Sequence, residues 1–172
     1  LINKVVIVNP EPDSRSDERR NGPLGAVKEA YFRRPALVRL MARMLASQLS
    51  GDKPYRIVPR TLVGSPPDEA AIAQADILED YVRALRPFAT GRIEGYVNEQ
   101  MAHAITVRPA TLHGTENWHL LVGAHDTLYD PDFVLAYWRK ILPDAGWTKV
   151  ANAGRLMAMT SADLVAYTLA TA

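Results

Sequence analysis

Cysteine is absent from the 172 residues, which excludes disulfides, thiolate metal sites and a cysteine nucleophile, and fits a reducing, cytoplasmic setting. No apolar run approaches the roughly twenty residues that span a bilayer, so no membrane partner is expected. Charge of one sign is missing as well: 20 Lys and Arg stand against 19 Asp and Glu, leaving no global field to recruit nucleic acid. Locally, 11 basic residues face 6 acidic ones between Glu11 and Arg60. A solvated cationic helix face accounts for that surplus. No groove-reading motif accompanies it, so this chain is not expected to bind nucleic acid.

Catalytic signatures are scarce. No Gly-x-Ser-x-Gly occurs, and Val63-Gly64-Ser65-Pro66-Pro67 cannot replace it, because prolines directly after Ser65 remove the backbone donor of an elbow. No phosphate-binding glycine loop or dinucleotide fingerprint is present. His103, His113 and His119 lack metal-ligand spacing, so neither a metal nor a cofactor is expected.

With 48% apolar and 23% charged residues, the chain suits one globular domain with a sizeable core. Lys4 to Asn9 is a β-branched run of the kind buried on both faces of a parallel sheet. It begins without a leading loop or initiator methionine, which suggests a chain cut from something longer. Residues 11–23 read as an exposed loop. From Pro35 to Ser50, Leu37, Leu40, Met41, Met44, Leu45 and Leu49 recur at helical spacing, with Pro35 in the first turn and Gly51 as the stop. A second helix opens at Ser65, which caps it, with Asp68 and Glu69 complementing the dipole; its stripe runs Ile72, Ile77, Leu78, Tyr81, Val82, Leu85. A shorter helix is expected over 95–104, before a connector at 106–114. Strand 118–122, helix 131–142, strand 147–151 and a helix from Ser161 complete an alternation that implies parallel crossovers.

The phrase Gly123-Ala124-His125-Asp126-Thr127-Leu128 is similar to the triad-acid segment of the α/β-hydrolase superfamily, and Asn152-Ala153-Gly154-Arg155-Leu156 is similar to its triad-histidine segment, with Arg155 at the histidine position. The order strand, helical block, acid strand, helix, strand, helix also resembles the C-terminal half of that fold. The resemblance implies an α/β class in which three parallel strands with helices (1–23 and 106–172) carry a helical cap (24–105). Arg34-Pro35-Ala36-Leu37 and Gly64-Ser65-Pro66-Pro67-Asp68 resemble hydrolase-like modules fused to helix-turn-helix regulators.

A triad histidine must accept and return a proton near neutral pH. Arginine stays protonated and has no acceptor, so Arg155 cannot do so. Under the resemblance Asp126 and Arg155 take the triad-acid and triad-histidine positions, where an ion pair between them would be structural or anion-binding; Asp126 reads equally as a turn residue before Asp130-Pro131. His125 beside Asp126 is a poor substitute base, because neighbours at a strand end point to opposite sides. Tyr31, Met41, Met44, Tyr129, Arg155 and Leu156 are the candidate lining of a small-molecule site. The expectation is a non-catalytic ligand-binding or sensory module for a small apolar, acyl or aromatic molecule within a larger regulatory protein. The alternative is a serine hydrolase of esterase type whose nucleophile lies on an absent N-terminal segment. A half sheet would leave the first strand with an open edge, implying a homo-oligomer, swapped elements or a missing N-terminal half as partner.

Overall fold

The structure is a computed structural model that describes residues 4–12, 31–105 and 110–171. Residues 13–23 of the loop expected over 11–23, the start of the cap at 24–30 and residues 106–109 of the connector expected over 106–114 lie outside the described residues. Three parallel strands, β1 (Val5–Val8), β2 (Trp118–Gly123) and β3 (Gly146–Val150), form one sheet in the order β1-β2-β3. Val5 is in register with Trp118, and His119 with Gly146. The class is therefore α/β. Eight helices accompany the sheet among the described residues: α1 (Pro35–Gln48), α2 (Pro54–Thr61), α3 (Pro66–Ile72), α4 (Ala75–Ala89), α5 (Glu94–Ile105), α6 (Pro131–Ile141), α7 (Met157–Thr160) and α8 (Ala162–Thr171). None of them is long and apolar enough to cross a membrane.

The chain divides into two compact units. The sheet unit comprises described residues 4–12, 62–77 and 110–171; the helical unit comprises 31–61 and 78–105. Among the described residues, 62–77 with α3, which the cap read from sequence (24–105) includes, belong to the sheet unit.

Alternation along β2 builds both faces of the sheet. Leu120 packs with Ile7, Ile141 and Leu142 on one side, and Val122 joins Val134 and Leu135 of α6. Leu121 faces the other way, with Val6, Val8, Ala153, Met157 and Leu164. Residues 120–123 are buried, whereas all four residues of β1 are only half-buried, so β1 is not the fully covered strand that its composition suggests. It pairs with β2 alone among the described residues, and Lys4 Nζ donates to the Ala170 carbonyl of α8 at 3.1 Å. Asp130 caps α6 by accepting from the Asp132 and Phe133 amides, and Pro131 supplies the preset first turn.

In the helical unit, α1 buries Val38, Ala42 and Ala46 against Ile93 and Val97. This differs from the Leu and Met stripe: Leu40 is 56% exposed and Met44 58%. Small residues at i, i+4 and i+8 let α5 approach closely, and of the adjacent larger stripe Leu40, Met44 and Leu45 are exposed while Leu37, Met41 and Leu49 are half-buried. The single long helix expected from Ser65 is two, α3 and α4, and α2 has no counterpart in the periodicity. Tyr55 donates its hydroxyl to Glu79, which together with burial raises the phenol above its ordinary range.

Candidate functional site

Parallel sheets bring functional groups together at the carboxyl ends of their strands. Here those ends are joined by Asn9, just past β1. Its φ of 45° lies in the left-handed region that asparagine tolerates better than most residues. Its side chain accepts from the Gly123 amide at 2.8 Å and donates to the carbonyls of Gly154 (2.8 Å) and Arg155 (3.1 Å). One amide therefore ties the end of β1 to the end of β2 and to the loop after β3. Asn9→Ala is expected to cost about 1–3 kcal/mol in urea unfolding, since two carbonyls and an amide lose their partner.

A second clamp comes from α3. Asp68 is fully buried, and its Oδ2 accepts from the Arg155 amide (2.7 Å) and the Ser65 hydroxyl (2.7 Å), while Oδ1 accepts from the Leu156 amide (2.9 Å). Ser65 is the residue before α3, but its hydroxyl does not cap that helix. It goes to Asp68 instead, and Glu69 accepts from the Gly64 amide at 2.7 Å. The main chain of Arg155 is thus held on its amide side by Asp68 and on its carbonyl side by Asn9. Gly123 and Gly154 permit the close approach. A Cβ on Gly123 would stand 2.6 Å from the Gly154 carbonyl oxygen, and one on Gly154 would fall on Asp68 Oδ2 and Ser65 Oγ.

From this fixed backbone the Arg155 side chain, about one third exposed at 34%, reaches Glu11 rather than Asp126: Nη2 lies 3.0 Å from Glu11 Oε1. The ion pair between Asp126 and Arg155 that the resemblance allows is not formed. Asp126 Oδ1 is occupied by its own turn, accepting from the Leu128 amide at 2.7 Å and the Tyr129 amide at 3.4 Å. That is the turn role of an aspartate whose side chain closes the loop two residues on. The Tyr129 hydroxyl lies 3.4 Å from Glu11 Oε2, so Glu11 joins Arg155 and Tyr129. Either Glu11→Gln or Arg155→Gln should change stability by less than about 1 kcal/mol in chemical denaturation, because a pair this exposed is screened by solvent.

The other residues expected at a ligand site are more dispersed. Leu156 is 5% exposed and forms part of the core. Tyr31, Met41 and Met44 belong to the helical unit. The Tyr31 hydroxyl donates to the Leu37 carbonyl at 2.8 Å, and its ring meets Phe32 edge-on at 5.5 Å. Met41 is half-buried and Met44 exposed. His125 is exposed, His113 lies 3.2 Å from Asp144 and His119 2.9 Å from Thr148. Among the described residues no three His, Asp or Glu side chains gather as metal ligands do. Asn9, Glu11, Ser65 and Asp68 are not among the site residues expected from sequence; Asn9-Pro10 marks only the end of the first strand there.

No family model, curated protein or solved structure matches the chain.

Proposed function

We propose that this chain is the C-terminal half of a hydrolase-like fold serving as a non-catalytic module, which takes up a small apolar, acyl or aromatic molecule as the sensory part of a larger regulatory protein. One observation carries the reading: the residue pinned at the carboxyl ends of the strands is a permanent cation, paired with Glu11. A guanidinium accepts no proton, so it cannot activate a serine hydroxyl. The carboxylate that the resemblance offers as its partner, Asp126, is engaged by backbone amides. What remains at this end of the sheet is a guanidinium carried on a fixed main chain, a donor group suited to recognition.

Hydrolysis of p-nitrophenyl butyrate tests the reading directly. The longest native protein that carries this chain is expected to give the buffer rate, with its Arg155→His variant measured beside it. Turnover abolished by a serine-directed inhibitor would overturn the proposal in favour of an active hydrolase.

A further inference from the structure

We infer that Glu11 is a built-in occupant of the Arg155 guanidinium, and that the ligand's polar end is a monocarboxylate which takes Glu11's place. This rests on the binding-module reading and names the chemistry of its ligand.

Three observations meet at this point. The main chain of Arg155 is bound on both sides, by the fully buried Asp68 and by Asn9, a large structural commitment for a loop residue whose side chain is one third exposed. Fixing the backbone removes most of the ordering cost that a flexible loop arginine would bear on gripping a ligand. The group that the guanidinium already holds is itself a carboxylate, at 3.0 Å through a single Nη2, which leaves other donors of the planar fork uncommitted among the described residues. Finally, that carboxylate is 40% exposed, so Glu11 can turn out into water at little cost.

Local charge selects the class of anion. Asp68 accepts from two amides and a hydroxyl, and Asp126 from two amides, so neither is the partner of the Arg155 side chain in this unit. A single guanidinium balances one incoming charge, and among the described residues no second cation pairs with Glu11 to meet the other charge of a phosphate dianion. Exchange of one carboxylate for another keeps the balance unchanged. Tyr129 follows Glu11: its hydroxyl lies 3.4 Å from the carboxylate that leaves, and its ring packs on the Val122–Val134–Leu135 cluster beside the exchange.

The experiment follows the Arg155 Nε–H resonance, assigned by its absence in Arg155→Gln, during titration at constant ionic strength with hexanoate, with hexanamide and with chloride. Hexanoate should shift it saturably while hexanamide and chloride do not. Glu11→Gln should bind hexanoate about fivefold more tightly, the factor that corresponds to removing a surface ion-pair competitor. Arg155→Gln should lose the response to hexanoate altogether. Equal binding of acid and amide with the Nε–H resonance unmoved would overturn the carboxylate inference while leaving a small-molecule module standing. Binding of hexanoate that Glu11→Gln leaves unchanged or weakens would overturn the competitor role of Glu11. A response to chloride equal to that for hexanoate would reduce the site to an unspecific cation, and failure of both acid and amide to bind would bring down the inference together with the reading beneath it.

Discussion

Asp68→Ala is expected to lower the unfolding free energy by about 3–5 kcal/mol, read from urea or guanidinium curves, because it orphans buried donors. The Arg155 and Leu156 amides and the Ser65 hydroxyl all donate to this one carboxylate, which is fully buried. Against the roughly 5–15 kcal/mol that holds an ordinary domain, a loss of this size leaves little. Graded variants separate the clamp from a simpler role. Asp68→Asn keeps one oxygen but turns an NH2 group toward one of the donors, so about 2 kcal/mol is expected. Ser65→Ala removes a single hydroxyl from a carboxylate that keeps both amides, and about 1 kcal/mol is expected. Were Asp68 only the first-turn acid of α3, its loss would cost no more than about 0.3–1 kcal/mol.

Gly154→Ala should be comparably damaging, at about 3 kcal/mol or more, since the added methyl falls on Asp68 Oδ2 and Ser65 Oγ. Those atoms are the clamp itself, on short side chains that are fully buried and hydrogen-bonded in place. Gly123→Ala presses on backbone instead, 2.6 Å from the Gly154 oxygen and 2.7 Å from that of Ala153. Gly123→Ala pushes the end of β2 and the loop after β3 apart, whereas Gly154→Ala pushes that loop away from Ser65 and Asp68. By contrast, a Cβ at Gly95 meets nothing within 4 Å, so Gly95→Ala in α5 should be neutral or stabilising. Thermal or denaturant midpoints of the three variants, taken side by side, check the contrast.

The elements that the sequence made visible are those whose signal is local. The β-branched run before Asn9, the Trp118–Gly123 strand and the helix behind Asp130-Pro131 each carry their own periodicity and punctuation, and each appears within a residue or two of expectation. The break between α3 and α4 was not visible, because Ala73 and Gln74 are ordinary helix residues. The inward face of α1 was misread for a different reason. Two apolar stripes lie side by side on that helix, and hydrophobicity alone favours the Leu and Met stripe, whereas packing against α5 favours Val38, Ala42 and Ala46. The clamp was hidden by distance along the chain. Asp68 lies 87 residues from Arg155 and Asn9 lies 146 from it. Each has a sufficient local explanation, a first-turn acid and a turn asparagine, and nothing nearby in the chain shows that both converge on position 155. The resemblance supplies Asp126 as the partner of Arg155, where geometry supplies Glu11.

Amide hydrogen exchange at Arg155 and Leu156 tests most directly whether the loop after β3 is fixed from α3. Both residues lie outside regular hydrogen-bonded structure, so an unclamped loop would exchange there as fast as at the exposed Ala151 and Asn152. The account predicts protection approaching that of Leu120–Val122 in β2, and its loss in Asp68→Asn under conditions where β2 stays protected. Fast exchange of both amides in the unaltered chain would contradict it.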